Sequence, residues 1–336
     1  MKNIGLVTDV PFWKIGLGQN ARIQELYHFL SKNSRLTLYY LGEEIPPFPC
    51  SIFQKEHQEP QLFSSLEKAN HDLLIVEYIH LHWIADFPLK NTDVYLDALD
   101  LLSERTKSFE FFNHSSNLIT FEQEIDYFKK FDKVIFLQKE ELKKVLPFVG
   151  SEGLLLCPHP IVPDEDIPLR EKVEVIGFLG SPAWHNIDGI QWFHDTVLPL
   201  LGELAEKCIA HGTINFSPLS IFSPRLTKGG LFSSISDYYK NIDIAINPVL
   251  YGSGLKIKTV EAIAYGIPLV TTRIGAQGLL DQSNHSFILA DTSEEFAAAI
   301  CALAASSSLR RQLSSHARVF AKKYLTPEAC FNVLLE

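Results

Sequence analysis

Short apolar runs alternate with amphipathic stretches along the whole chain. The runs at 4–7, 36–41, 73–76, 94–96 and 134–137 are strand-length, and several are apolar at every position. They read as strands, several of them buried on both faces of a parallel sheet. Between the first two, the stretch 20–30 puts Ile23, Leu26 and Leu30 on one helical face. The alternation breaks at 157–172, where Pro158, Pro160, Pro163 and Pro168 stand among acidic residues and predict a linker. Beyond it the pattern resumes, with strands expected at 173–179, 208–210, 242–246 and 268–271 and helices at 187–201 and 256–265. Thr326-Pro327-Glu328 supplies a helix start, Thr as N-cap and Pro in the first turn. The apolar 328–335 helix that follows is expected to pack on the N-terminal half. Strand–helix alternation on both sides of a Pro-rich break predicts an α/β chain of two doubly wound domains facing a cleft. The expected divisions are 1–160, 161–325 and a terminal helix at 326–336. No internal repeat or low-complexity segment interrupts this plan.

The 336 residues are too many for one ordinary core, which agrees with two domains. A hydrophobic fraction of 46% with 21% charged residues is that of a folded, soluble chain. A formal net charge of -10 argues against a general nucleic-acid binder but leaves room for a local basic pocket. Cys50, Cys157, Cys208, Cys301 and Cys330 are scattered, which suits reduced thiols better than a disulfide framework or a zinc site. Asp9 comes too early for a secretory signal, and no apolar run approaches a membrane span. The expectation is a cytoplasmic protein, with peripheral contact at the inner face of a membrane left open.

Candidate chemistry concentrates at 247–262. This segment follows a strand and leads into a helix. Gly252 and Gly254 allow a tight turn beside a ligand, and the amides of Gly254, Leu255 and Lys256 fall at a helix start that attracts phosphate. Lys256 and Lys258 add positive charge, and Glu261 lies where a carboxylate could accept hydrogen bonds from two ribose hydroxyls. Gly266 ends the helix before Pro268 opens the next strand. Local physics alone also allows a plain loop with a solvated glutamate.

The run Gly252-Ser253-Gly254-Leu255-Lys256-Ile257-Lys258, with Glu261-Ala262, Gly266, Pro268 and Thr271-Thr272, resembles the donor-site signature of group 1 (family-four) glycosyltransferases. Gly275-Ala276-Gln277-Gly278-Leu279 is similar to the loop that follows in that group. Gly177-Phe178-Leu179-Gly180-Ser181, with Asn186, Gly189 and Trp192-Phe193, resembles the first strand, loop and helix of the same nucleotide-binding domain. A further match lies at 97–105. The resemblance implies a GT-B fold of two Rossmann-like domains and a nucleotide-diphosphate sugar donor. It also implies retention of anomeric configuration and no bound metal or other cofactor. It makes Gly180, Ser181, Asn186, Gly252, Ser253, Gly254, Leu255, Lys256, Lys258 and Glu261 donor-binding residues, with Glu261 on the ribose and the 254–256 amides on the diphosphate. Gly18, in Gly16-Leu17-Gly18 after the first strand, joins them, although a plain turn explains that loop as well.

Four positions depart from the group's pattern. Ser253 stands where many members have a glutamate. Ser181 and His185 stand near the places of an Arg and a Lys that hold phosphates, and Lys256 and Lys258 are candidates to compensate. No histidine stands near Asp97, where relatives contact the donor sugar. Asp97 and Asp100 are the acidic candidates for a role near the reacting carbon. Tyr78, His80 and His82 follow the strand at 73–76 and are acceptor-side candidates, against a packed aromatic cluster with Trp83 as the plainer alternative. His114 reads as a loop histidine with no evident partner, and Glu122 and Glu124 as a solvated helix face. The expected function is transfer of a hexose-type sugar from a nucleotide-diphosphate donor to a hydroxyl of a glycan or lipid-linked acceptor. The alternatives are a catalytically inactive partner subunit and a nucleotide-sugar epimerase of the same fold. Base, sugar, linkage, acceptor and oligomeric state are not encoded legibly.

Overall fold

The computed structural model describes residues 1–14, 18–53, 58–114, 119–163, 166–216 and 225–336. Gly16 and Leu17, two of the three residues of the expected glycine loop, lie outside the described residues. The chain forms two compact units. The first comprises Met1–Lys107, Ser116–Pro160 and Pro327–Glu336, and the second Ser108–Ser115 and Ile161–Thr326.

Through the first half of the chain run β1 (Asn3–Thr8), α1 (Gly18–Asn33), β2 (Arg35–Tyr40), β3 (Ser51–Ile52), α2 (Gln58–Ala69) and β4 (Leu73–Glu77). A 3-10 stretch, Ile79–Asp86, leads to β5 (Asp93–Asp97), α3 (Leu102–Phe111), α4 (Phe121–Phe128), β6 (Lys133–Phe136), α5 (Lys139–Val149) and β7 (Leu154–Leu156). The strands make one sheet in the order β3-β2-β1-β4-β5-β6-β7, and its paired strands are parallel. Alternate residues serve opposite faces. Ile4, Leu6, Leu73, Ile75, Tyr95 and Ile135 pack in one core, and Val7, Leu74, Val76, Leu96, Val134 and Phe136 in another. Burial on both faces is why the sequence shows continuous apolar runs instead of alternation. Glu124, expected on a solvated helix face, is buried. Its carboxylate accepts from the amides of Leu102 (2.7 Å) and Ser103 (3.0 Å), so it satisfies the first turn of α3.

The second unit holds β8 (Ile176–Leu179), α6 (Trp184–Trp192), β9 (Cys208–His211), β10 (Leu226–Gly230), α7 (Ile235–Lys240), β11 (Ile244–Asn247) and α8 (Ile257–Tyr265). It continues with β12 (Leu269–Thr271), β13 (Ile288–Leu289), α9 (Ser293–Ala305) and α10 (Ser307–Tyr324). Its parallel sheet has the order β10-β9-β8-β11-β12-β13. The expected 187–201 helix begins earlier, at Trp184, and after Trp192 loosens into a π turn (Phe193–Val197) and a 3-10 turn at Pro199. Gly266 ends α8 at φ +68°, where an added Cβ would strike the Arg318 side chain at 2.2 Å.

α11 (Pro327–Phe331) and a closing 3-10 turn belong to the first unit. Phe331 lies 5.4 Å from Phe29 of α1, and Cys330 and Leu334 are buried beside it. No helix among the described residues is long and apolar enough to cross a membrane.

Candidate functional site

In the second unit the strand order reverses between β8 and β11. Doubly wound sheets bind ligands beyond the carboxyl ends of the two strands at such a switch point. β8 runs into the 180–183 loop and α6, and β11 into the 248–256 loop and α8. Both helices therefore start at this edge, where the amides that open a helix are not used by the helix ladder and the dipole favours an anion. Gly252 (φ +122°) and Gly254 (φ +74°) take conformations that side-chain-bearing residues avoid. α8 begins at Ile257, with Lys256 as its N-cap, one residue later than expected.

Lys256 does not point its charge at open solvent. Its Nζ donates to the carbonyls of Ser253 (2.9 Å) and Gly254 (2.9 Å) and to Gln277 Oε1 (3.0 Å). It clamps the glycine turn from within, a role the sequence did not distinguish from direct phosphate contact. Lys256→Met is expected to loosen this turn and weaken nucleotide binding about tenfold, with far-UV circular dichroism unchanged. Calorimetric titration checks it.

Lys258 donates to Asn186 Oδ1 at 2.6 Å and sits 4.5 Å from the centre of the Phe178 ring. Asn186 in turn donates to Ser181 O and Oγ, both at 3.2 Å. The expected donor residues Ser181, Asn186 and Lys258 thus form one chain linking the starts of α6 and α8. At Gly180 a Cβ would meet the Phe178 ring at 2.6 Å, so the glycine lets this turn close. Leu255 packs partly buried against the apolar cluster that includes Val260 and Ile263.

Glu261 is buried one turn into α8. Tyr239 Oη lies 3.1 Å from Glu261 Oε2 and 3.0 Å from the Lys258 carbonyl, positioned to donate to either. Burial is the main cause that pushes the Glu261 carboxyl up to about 7, against the Tyr239 hydrogen bond and the Lys258 charge. Burial likewise pulls Lys258 down to about 7, partly opposed by Glu261 and reinforced by Lys256. Thr271, Thr272 and Gly275 of the motif have a structural task. Thr271 Oγ1 donates to Asn247 O at 3.1 Å, the Gly275 amide donates to Thr272 Oγ1 at 3.0 Å, and a Cβ on Gly275 would strike Thr271 Oγ1.

Several partners of this site had no legible signal. Tyr239 comes from α7, and Ser108 Oγ accepts from the Gly252 amide at 2.7 Å across 144 residues of sequence. His114, expected to lack a partner, lies 2.6 Å from Asp188 Oδ2, which also accepts from Tyr251 Oη at 2.6 Å. Its ring stacks on Trp184 at 4.8 Å. Such long-range pairs follow from the topology, which a motif of local spacing does not contain.

In the first unit the two acidic candidates have other tasks. Asp97 ends β5 fully buried, and its Oδ2 pairs with Arg22 of α1 at 3.0–3.1 Å. It has no exposed surface to offer a reacting carbon, so its role is correctly that of counter-ion to Arg22. Asp100 is also buried and pairs with Arg105 at 2.6 Å, and Arg105 donates to Tyr78 Oη at 3.3 Å. His82 stacks on Tyr127 at 3.7 Å and Trp83 packs edge-on against Phe87, which is the packed alternative. His80 packs its ring on Tyr78 at 5.3 Å and lies 2.7 Å from Asp9. Gly18 is the first residue of α1. Among the described residues, no three His, Cys, Asp or Glu side chains are grouped to hold a metal ion.

Residues 173–306 match the family model described as glycosyl transferases group 1. A protein in the cps region of Klebsiella pneumoniae, described as an uncharacterized 44.6 kDa protein, is 26% identical over 186 residues, 51% of this chain. That match covers 47% of the Klebsiella protein, so the chain spans about half the length of the curated relative it matches. Among solved structures, Anabaena HepE in complex with UDP-glucose superposes with a TM-score of 0.74 at 13% identity, covering 100% of this chain and 98% of that one. Sucrose-phosphate synthase from Thermosynechococcus elongatus gives 0.71 at 16% identity over 99% and 97%. WaaG, a glycosyltransferase involved in lipopolysaccharide biosynthesis, gives 0.69 at 14% over 98% and 98%. At these identities the likeness speaks for the fold alone, and that fold is GT-B.

Proposed function

We propose that this chain, a group 1 glycosyltransferase by its residues 173–306 and of GT-B fold, moves a hexose-type sugar from a nucleotide-diphosphate donor to a hydroxyl of a glycan or lipid-linked acceptor. The observation that carries the reading is the seat at the β8–β11 switch point. Two helix starts lie at that edge, a glycine turn is clamped by Lys256, and a buried Glu261 stands one turn inside α8. The diphosphate meets the helix-start amides, and the ribose hydroxyls donate to Glu261. As the bond from the anomeric carbon to the diphosphate breaks, negative charge grows on the leaving oxygens. Fixed amide dipoles, with Lys258 nearby, stabilise that charge without a metal ion. Retention of configuration, as the group's habit, belongs to the same reading, as does action on an acceptor presented at a membrane's inner face. The solved relatives support a nucleotide-sugar partner, since HepE is described in complex with UDP and with UDP-glucose.

Calorimetric titration with UDP, GDP, ADP and CMP tests the seat. One nucleotide is expected to bind well above the others, and its release from the matching nucleotide sugar is expected to depend on an acceptor. A folded wild type that binds none of the four would sink the reading. Donor conversion to another nucleotide sugar with no acceptor present would favour an epimerase instead.

A further inference from the structure

The last turn of α3 and the residues that follow it, Ser108–Ser115, belong to the second unit. Residues three and four apart share a helical face, which groups Phe112 with Ser108 and Phe109. All three meet the 248–256 loop. Ser108 Oγ accepts from the Gly252 amide at 2.7 Å, Phe112 stacks on the Tyr251 ring at 4.2 Å, and Phe109 meets that ring edge-on at 5.2 Å. Phe111, on another face, is exposed. Asn113 then takes a left-handed conformation (φ +60°), and the His114 amide donates back to Phe109 O at 2.9 Å. This turn brings His114 to Asp188 of α6, the carboxylate that also accepts from Tyr251. The segment is therefore fastened to the loop by a hydroxyl, two rings and a shared carboxylate.

Ser108 holds the glycine turn at a point that Lys256 does not reach. The Lys256 ammonium binds the carbonyls of Ser253 and Gly254. On the other side of the turn, Tyr251 is buried and its hydroxyl is tied to Asp188. Between these anchors lies the Tyr251–Gly252 peptide. Gly252 has φ +122°, and a Cβ there would meet nothing nearer than the Lys256 side chain at 3.9 Å. Neither a side chain nor close packing limits this peptide plane, so the Ser108 hydroxyl is the group that fixes it.

We propose that Ser108 is a positioning residue of the nucleotide seat: by fixing the Gly252 amide it aims the 254–256 amides, and it gives the seat its preference for a diphosphate over a monophosphate. This rests on the nucleotide seat proposed above. With the ribose at Glu261, one turn inside α8, the first phosphate comes nearer the helix and the second nearer the glycine turn. A turn free to rotate at Gly252 loses its alignment with the second phosphate first. The hydroxyl acts through the turn and not on the ligand. Phe112 and His114 hold the segment that carries it.

The ratio of diphosphate to monophosphate affinity separates this role from a general structural one. Full-length wild type, Ser108→Ala and Ser108→Thr are titrated calorimetrically with UDP and UMP, GDP and GMP, and ADP and AMP. For the base that wild type binds, Ser108→Ala is expected to lose about fivefold in diphosphate affinity while monophosphate affinity holds. Ser108→Thr, which keeps the hydroxyl, is expected to retain the wild-type ratio. An unchanged ratio in Ser108→Ala overturns the proposal and leaves the seat standing, as does an equal loss for both nucleotides. Tighter diphosphate binding in Ser108→Ala also overturns it, because the hydroxyl would then be standing in a phosphate position. So does a Ser108→Thr variant as weak as Ser108→Ala, which takes the hydroxyl out of the account. A wild type that binds none of the six nucleotides overturns the proposal together with the seat beneath it.

Discussion

Arg22→Met is expected to lower the stability of the first unit by about 3–5 kcal/mol, a fall in melting temperature on the order of 10 °C. Arg22 is fully buried and serves three groups at once. Its guanidinium pairs with Asp97 at 3.0–3.1 Å, donates to Pro158 O at 2.7 Å and lies 4.6 Å from the centre of the Phe331 ring. Glu77, also fully buried, has no hydrogen-bond partner for either oxygen among the described residues, and its carboxyl is pushed well above the usual range by burial first and by Asp97 second, with Arg22 opposing. Removing the cation leaves two buried acids without it. Both carboxyls are raised in the folded state, so the native unit holds protons that the unfolded chain releases. Stability therefore falls as pH rises beyond the ordinary carboxylate range of about 4. The deficit of Arg22→Met should be small at pH 4 and grow toward pH 8, by calorimetric melting at each pH. Glu77→Gln, which cannot ionise, should melt higher than wild type at pH 7. A pH-independent deficit in Arg22→Met would show that lost packing, not uncompensated charge, is the cause.

That pair also shows where a reading of sequence stops. The strands at 4–7, 73–76 and 134–137 were legible because burial on both faces leaves an uninterrupted apolar run. β3, β10 and β13 were not, since edge or short strands carry too few apolar residues to stand out. The candidate nucleotide seat stood out because its features are local: two glycines, a helix start and Glu261 lie within ten residues. Asp97 looked like a site residue because it ends a strand at the ligand-binding edge, where acids are often functional. Its partner Arg22 is 75 residues away on α1, and only the sheet order brings them together. His80 and His82 are indistinguishable by spacing. One stacks on Tyr127 of α4 and the other meets Asp9 after β1, a difference set by tertiary packing alone.

Nucleotide affinity should be highest near pH 7 and fall on both sides, and Glu261→Ala should weaken it about 100-fold at that maximum. A carboxylate that accepts from two ribose hydroxyls makes two charge-assisted hydrogen bonds of about 1.5–3 kcal/mol each, and their loss amounts to two or more factors of ten. The bell shape follows from two groups on adjacent turns of α8. Glu261 is raised to about 7 and Lys258 lowered to about 7, and each acts on the other's charge. Below that pH Glu261 gains a proton and loses acceptor capacity toward the ribose. Above it Lys258 gives up its proton, and the positive charge near the diphosphate disappears. Because the groups interact, the two limbs belong to the pair, and a change at one residue shifts the limb of the other. Glu261→Gln keeps the size of the side chain and an oxygen for Tyr239, so it separates charge from shape. It should flatten the acid limb while the melting temperature holds. Lys258→Met should flatten the alkaline limb and release Asn186 Oδ1. Calorimetric titration from pH 5 to 9 measures all three. A wild-type affinity that changes in one direction only across this range would remove one of the two from the site, and the surviving limb names the one that stays.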